Sequence, residues 1–516
     1  MNDNKISKNS IVAKFAVPIS FLILFFLAAN FTDCDLVTFW KRRSHLTDLV
    51  VDMIPPDFSY IQKILLPLFY TIQMSVTGTV LGIFFALVLS PFGAANLGFP
   101  AVIRRILRIV IQILRSFPAL ILALTATFLF GLGTFAGTFA ITLYTFAIMT
   151  KLTYEDASAA DVKAYQALRA MGVSKYVAYI HGILPEIIPG FLTNALYLLE
   201  TNVRHSSILG YVGAGGIGLL LNEKISWLEY DKVGTILLML FLTVCVIEYF
   251  SRYLAALIRK EHTIKKEQAR LLLLFLAALF LICTFTLSLP DFSKTSPQTL
   301  RNMFAGFLQP DWSFFFSAEK DGLGYLLLET VCIAFIGTVI GAIVSAPLAF
   351  LNTKRFVPAP VSFLFNLVIM VIRSVPFLVY GLIFIRVSGP GAFTGVLTLA
   401  VCSIGLLTKR FTEALDALDP RPYHALLAMG VRPLPAICHS VLPQLKPVFT
   451  SIILYRFDVN IREASVLGLV GAGGIGAPLI FSMNQYAWEK AGAIMLGLIL
   501  FVWFIDMVSE KIGAGN

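Results

Sequence analysis

Long apolar runs, separated by short polar interruptions, set the pattern of this chain. Windows such as "VPISFLILFFLAANF" (Val17–Phe31), "ALILALTATFLFGLGTFAGTFAITLY" (Ala119–Tyr144) and "LLLLFLAALFLICTFTLSL" (Leu271–Leu289) pass with scarcely a charge. About 20 residues of helix cross a bilayer, so windows of this kind read as membrane spans. The pattern predicts spans near 15–32, 66–90, 107–131, 134–151, 187–209 and 233–257, then near 271–289, 325–350, 361–386, 392–408, 446–467 and 491–509. The expected fold class is therefore an all-α polytopic membrane protein.

The pattern is also written twice. "VGAGGIG" stands at Val212–Gly218 and again at Val470–Gly476, an offset of 258 (470 − 212), half of the 516 residues. The same offset relates "RSFP" (Arg115–Pro118) to "RSVP" (Arg373–Pro376) and "ALRAMGV" (Ala167–Val173) to "ALLAMGV" (Ala425–Val431). Nearer the start the register slips by one, so that Gly78-Thr79 matches Gly337-Thr338. Two tandem repeats, 1–260 and 261–516, meet near the basic stretch Arg259–Arg270. An even number of spans per half sets both halves the same way up, a parallel repeat. Lys5, Lys8 and Lys14 hold the N-terminus inside, and the basic stretches after the second and sixth spans then fall inside as well.

Gly213, Gly215 and Gly218 have the G-x-G-x-x-G spacing of a dinucleotide loop. Such a loop must follow a strand and open a helix, whereas this one joins the fifth span to the sixth, and no G-x-x-x-x-G-K-[ST] occurs in the chain. The glycines of the first loop (Gly213, Gly215, Gly216, Gly218) and of the second (Gly471, Gly473, Gly474, Gly476) are expected to serve close backbone packing, or a tight non-helical turn beside a water-filled path.

Composition sharpens the class. Hydrophobic residues make up 58% and charged residues only 14%, too little polar surface for a soluble exterior. The formal charge of +10 gathers in short stretches between spans, as in Arg104–Arg108 and Arg252–Arg270. That distribution orients a membrane protein and speaks against nucleic acid as a partner. Six cysteines show no C-x-x-C and no metal-ligand spacing, so neither a disulfide framework nor a metal site is implied. The first apolar window lacks a convincing cleavage site and reads as a retained helix.

After its fourth span each half carries a polar segment, "YEDASAADVKAYQALRAMGVSKYVAYIHGILPEIIPG" and "FTEALDALDPRPYHALLAMGVRPLPAICHSVLPQLKP". Each contains A-L-x-A-M-G with Leu-Pro twelve residues beyond the glycine. Helix-favouring Ala and Leu, a break at Gly172 or Gly430 and a proline-marked entry to the next span predict two short helices at a glycine bend. The "ALxAMG…LP" stretch resembles the EAA loop of bacterial ABC importer permeases, which fits a groove on the ATPase subunit. "EALDALDPRPYHALLAMG" and "LYRFDVNIREASVLGLVGAGGIG" (Leu454–Gly476) resemble the phosphonate-type permeases in particular. That resemblance covers about Thr71–Gly218 and Thr330–Gly476 and implies two permease copies fused in one chain, six helices each, about a pseudo-two-fold axis. It implies ATPase docking at Ala167, Ala170, Gly172, Ala425, Ala428 and Gly430. The glutamate usual in that loop is here Gln166 and His424, and the isoleucine ahead of Leu-Pro is Gly182 and Ser440.

Ionisable side chains within spans are costly and point to function. The fifth span carries "ETNVR" (Glu200, Asn202, Arg204) and its partner "DVNIR" (Asp458, Asn460, Arg462), with acid and base four apart on one helix face. At about 1.5 Å per residue they lie roughly 20–25 Å from the inner end. Arg115-Ser116 and Arg373-Ser374 precede the prolines of the third span in each half. One reading places Arg115, Arg373, Arg204, Arg462, Asn202, Asn460, Ser116 and Ser374 along a path for an oxyanion, which the guanidinium fork suits. The other has the ion pairs and asparagines simply holding helices together. Glu248 and Asp506 are expected to pair at the interface, with Arg252 and Lys511.

The expectation is a permease of an ABC importer for a phosphonate or related phosphorus oxyanion in a bacterial inner membrane. It would bind no cofactor itself, with ATP and Mg on two partner ATPase subunits, and would take solute from an extracytoplasmic binding protein, within membrane lipid. An ion-coupled secondary transporter would need titrating carboxylates and would have no use for duplicated docking helices. A membrane enzyme finds no recurring catalytic or metal-spaced cluster.

Overall fold

The computed structural model describes residues 19–258, 266–290, 297–317, 319–320 and 322–514. The N-terminal lysines, most of the joint at 259–270 and the side chains of Asp506 and Lys511 lie outside the described residues. Every described regular element is helical. In the first repeat these are α1 (Ile19–Phe31), α2 (Leu36–Lys41), α3 (Arg43–Asp52), α4 (Ile61–Gly93), α5 (Ala101–Ser116), α6 (Ala119–Phe130), α7 (Thr134–Ala159), α8 (Lys163–Ala170), α9 (Lys175–Gly182), α10 (Leu184–Leu209), α11 (Ile217–Ser226) and α12 (Tyr230–Ile258). In the second they are α13 (Lys266–Phe285), α14 (Pro297–Leu308), α15 (Trp312–Phe315), α16 (Leu323–Asn352), α17 (Ala359–Ser374), α18 (Phe377–Ser388), α19 (Ala392–Ala417), α20 (Arg421–Ala428), α21 (Pro433–Ala436), α22 (Leu442–Leu467), α23 (Gly476–Asn484) and α24 (Trp488–Ala514).

Seven helices are long and apolar enough to cross a membrane, three bent pairs pass the same test together, and shorter apolar helices occupy Ile19–Phe31 and Leu274–Phe285. Each predicted span is thus a helix, with two departures. The third span of each half is not a kinked rod but two helices, α5 and α6 meeting at 95° and α17 and α18 at 88°. A residue before proline is pushed out of the helical region, and Phe117 duly takes ψ 127 ahead of Pro118. The stretch Arg104–Arg108, expected as a loop, lies inside α5. The second departure is α11 and α23, short helices set between each glycine loop and the sixth span.

The chain forms two compact units that do not follow the sequence halves. One comprises 49–304 and 374–376; the other comprises 305–373 and 377–516 together with the N-terminal residues up to 48. In the second of these, Phe21 meets Phe335 at 5.5 Å between ring centres and Phe31 meets Tyr325 at 4.9 Å, so α1 packs on the second repeat. In the 49–304 unit, Gln73 Nε2 on α4 donates to the Cys283 carbonyl at 3.1 Å and to Thr286 Oγ1 at 2.8 Å, so α13 packs on the first repeat.

Each unit is built on a close pair, α4 with α7 and α16 with α19. The sequences "GTVLG" (Gly78–Gly82) and "GTVIG" (Gly337–Gly341) supply the contact. A Cβ on Gly78 would stand 2.8 Å from Ile141 Cβ and 2.9 Å from the Thr138 carbonyl, and one on Gly337 would stand 2.7 Å from Leu399 Cβ. Association inside lipid rests on this kind of backbone approach, because apolar side chains gain little by leaving a hydrocarbon solvent.

Candidate functional site: a polar helix node, a glycine loop and a docking elbow in each repeat

The polar residues of the fifth span divide by direction. Asn202 is fully buried, and its Nδ2 donates to Thr79 Oγ1 and Thr145 Oγ1, both at 2.8 Å. Asn460 is equally buried and donates to Thr338 Oγ1 at 2.7 Å and Ser403 Oγ at 2.9 Å. Each asparagine therefore ties three helices together, α10 to α4 and α7, or α22 to α16 and α19.

Arg204 pairs with Glu200, and Arg462 with Asp458, one helical turn apart in both cases. The second repeat adds a pair with no counterpart. Arg456 Nη2 reaches Glu463 Oε2 at 2.8 Å and its Nε donates to Ser403 Oγ at 3.2 Å, so it joins the node of Asn460. The corresponding residues of the first repeat, 258 earlier, are Leu198 and His205. Sequence reasoning sought charges shared by both halves and so passed over Arg456 and Glu463. Their signal was a spacing of seven, two turns along one face of an apolar helix.

Arg115 and Arg373 end α5 and α17, directly before the bend. Basic groups suit the carbonyl-rich end of a helix. Arg373 packs on α19, where a Cβ on Gly405 would lie 3.0 Å from its Cγ. Ser116 is buried, its hydroxyl spent on the Gln112 carbonyl at 2.9 Å, and Ser374 is buried at the matching place. Toward the C-terminal end of α12, Glu248 pairs with Arg252 at 3.7 Å.

The glycine loops are plugs of backbone. Gly213, Gly215 and Gly216 take φ of 82°, 77° and 77°, and Gly471, Gly473 and Gly474 take 77°, 78° and 78°, a left-handed region that favours glycine. Gly218 and Gly476 are needed for a different reason: a Cβ on either would collide with the carbonyl of Ser207 or Ser465. The Gly213 carbonyl accepts from Gly133 N at 3.0 Å, and that of Gly471 from Gly391 N at 2.9 Å. The Ile217 N–H, opening α11, donates to Thr71 Oγ1 at 2.8 Å, as Ile475 N–H does to Thr330 Oγ1 at 3.1 Å. A threonine one helix away thus supplies the acceptor that a cap residue would supply locally. Glu329 adds a carboxylate on the Gly474 N–H at 3.1 Å; the first repeat has Tyr70 there. These loops follow a helix, and among the described residues there is no strand, so the dinucleotide pattern is coincidence of spacing.

The polar segment after the fourth span is the predicted pair of short helices. α8 and α9 turn about Gly172 at φ 85°, α20 and α21 about Gly430 at φ 81°. Ala167, Ala170 and Gly172 are exposed, as are Ala425, Ala428 and Gly430, and beside them Met171 and Met429 stand more than 70% exposed. The elbow is anchored from behind. Tyr165 is buried with its hydroxyl on the Leu97 carbonyl at 2.6 Å, and burial pushes that phenol up from its ordinary value. Gly182 has its reason here, since a Cβ would stand 2.9 Å from the Tyr165 backbone. Asp161, ahead of α8, is held below the usual carboxylate range by hydrogen bonds from Lys163.

Comparison with known proteins agrees with this arrangement. The family described as "Binding-protein-dependent transport system inner membrane component" matches residues 78–260 and again 337–512. A relative in Mycolicibacterium smegmatis, "Phosphate-import permease protein PhnE", is 27% identical over 473 residues, 90% of this chain and 88% of that one. "Phosphite transport system permease protein PtxC" of Stutzerimonas stutzeri is 36% identical over 184 residues, 36% of this chain and 67% of its own. "ABC transport system permease protein p69" of Mycoplasma pneumoniae is 23% identical over 459 residues, 86% of this chain and 84% of its own.

Proposed function

Because this chain belongs to the family of binding-protein-dependent transport system inner membrane components, we propose that it is the fused double permease of an ABC importer for phosphonate, phosphite or a phosphate-like oxyanion. A member of this family is a multi-pass membrane component of a transporter and not an enzyme, and works with an ATPase and a solute-binding protein. In this reading two ATPase subunits, carrying ATP and Mg, hold the two elbows, one in each repeat. A binding protein delivers the oxyanion at the opposite face of a bacterial inner membrane. The duplicated elbow with its exposed alanine and methionine tip carries the proposal. An apolar, shape-defined knob is suited to a groove on a moving partner, and an ion-driven carrier would have no use for it. The relatives' phosphate and phosphite names support the substrate class.

Arg115 and Arg373 are the arginines best placed to meet the oxyanion in this reading, at the breaks of the third spans. Arg204 and Arg462 are already neutralised by Glu200 and Asp458, and serve the path through its walls. The test is reconstitution in proteoliposomes with an ATPase and a binding protein of a phosphonate-type importer from the same organism. Oxyanion uptake that requires ATP, and ATP turnover stimulated by loaded binding protein, is the expected result. Uptake by the chain alone, driven by an ion gradient without ATP, would overturn it.

A further inference from the structure

The two repeats differ in charge on the first turns of the broken span. In α5 the row Arg104, Arg105 and Arg108 borders a run of exposed apolar side chains, with Val102 and Ile109 three and four residues from Arg105 on the same side of the helix and Ile106 beyond them. The corresponding residues of α17, 258 later, are Ser362, Phe363 and Asn366, while the exposed apolar face persists.

The level of this row is set by its surroundings. The strap from the end of α4 to the start of α5 is fastened to the end of α7, with Ala95 N donating to Ser158 Oγ at 3.2 Å and Asn96 Nδ2 to the Ala157 carbonyl at 2.9 Å. Arg104 to Arg108 therefore lie within two turns of the place where two spans leave the apolar layer on the elbow side, the depth of lipid headgroups. Arg108 donates through Nε to the Gly93 carbonyl at 3.0 Å and lies 5.0 Å above the Tyr154 ring, and Arg104 Nη1 reaches the Ala95 carbonyl at 3.4 Å. Arg105 is exposed, and no ion pair to a carboxylate is made by any of the three among the described residues. Carbonyls and a ring orient these guanidinium groups without neutralising them.

We infer that the first turns of α5 bind the anionic headgroup of a phospholipid in the leaflet on the elbow side, and that α17 has no such row, its nearest basic residues being Lys354 and Arg355 in the strap before it. The phosphate is held by the guanidinium row, while the acyl chains lie along the exposed apolar face of the same helix. A free inorganic anion would have no use for that face, which is why the lipid is the occupant. Beyond the transport reading, and independent of it, this places a lipid-sensitive helix in the first repeat that α17 does not reproduce.

The test is native mass spectrometry of the full chain released from nanodiscs of phosphatidylglycerol and phosphatidylcholine in equal parts. Retention of phosphatidylglycerol over phosphatidylcholine by roughly tenfold is expected. The variant Arg104→Ser/Arg105→Phe/Arg108→Asn, which takes the second repeat's own residues, should lose that preference. Phe363→Arg/Asn366→Arg, both exposed positions, should gain a second retained anionic lipid. Where a triple variant fails to fold, Arg105→Phe serves, since that side chain is exposed; it should lower the preference several-fold. Unchanged preference in the folded α5 variants would overturn the proposal. So would displacement of the lipid by millimolar inorganic phosphate as readily as by added phosphatidylglycerol, which would make the row a free-anion site.

Discussion

Set side by side, the two repeats share a backbone and differ in what fills it. Positions where the chain itself is at stake are matched: the left-handed glycines, the carbonyl-contacting Gly218 and Gly476, Thr71 and Thr330 on the loop N–H groups, and Asn202 and Asn460 at the node. Positions that only add polarity are not. The second repeat has Arg456, Glu463 and Glu329 where the first has Leu198, His205 and Tyr70. The entry to the fifth span differs too. α9 and α10 meet at 69°, whereas α21 runs through a π turn at Ile437–Val441 into α22 as one helical span. Outside that entry the geometry is held in common, and charge is distributed unequally on it.

The strongest way to break this comparison is at the shared backbone. Gly218→Val and Gly476→Val each force a side chain into a carbonyl that cannot retreat, since it belongs to the preceding span. Both should abolish recovery of monodisperse protein in detergent, at least tenfold below wild type, and to the same degree. A large difference between them would show that the two loops are not structurally equivalent.

The next effect is unequal by design. Removing one member of a buried ion pair costs about 3–5 kcal/mol, because the other is left without compensation. Arg456→Leu should therefore lower thermal stability sharply, with Glu463 stranded beside the node. The double change Arg456→Leu/Glu463→His gives the second repeat the first repeat's residues and should recover most of the loss. Failure of the double variant to recover would mean that the pair does more than satisfy itself.

Smaller again is the node. Asn202→Leu and Asn460→Leu each remove two hydrogen bonds between helices, and such bonds in membranes are worth about 0.6 kcal/mol on average. A loss of about 1 kcal/mol is expected for Asn202→Leu, read as a downward shift in melting temperature. Asn460→Leu should cost more, because Ser403 also serves Arg456.

Legibility in the sequence followed the same division. Hydropathy located the spans because burial in lipid is a property of composition within a window. The heptapeptide, the elbow and the i,i+4 pairs were visible because the repeat displays them twice. What was not visible depends on direction or on the partner. Pro118 announces a helix end, yet nothing local says that α6 leaves at a right angle to α5. The packing of α1 on the second repeat and α13 on the first is a choice among apolar surfaces that look alike in sequence. Arg456 and Glu463 broke the repeat and were therefore read past, although an ionisable residue inside a span is a signal in its own right.

The mildest contrast lies at the corner between α11 and α12, and pH can sharpen it. Lys224 reaches Glu223 and Glu229, each at 2.9 Å, and its ammonium lies 4.5 Å from the Trp227 ring. The second repeat has Ser482 and Ala487 in place of Lys224 and Glu229. Hydrogen bonding to Glu229 raises Lys224 well above its ordinary value of 10.5, and bonds from Lys232 and Lys224 hold Glu229 below its ordinary 4.5. A raised lysine contributes stability that is complete below its unfolded value and fades as pH rises through the folded one. A lowered carboxylate contributes above its unfolded value and fades as pH falls through the folded one. Between those limits the corner should be insensitive to pH, so wild type and Lys224→Met should melt with a constant offset from about pH 6 to 9. Below the carboxylate range the offset should shrink, because protonated Glu229 no longer rewards the ammonium. An offset left unchanged on acidification would show that the lysine acts through its contact with Trp227 and not through the carboxylates.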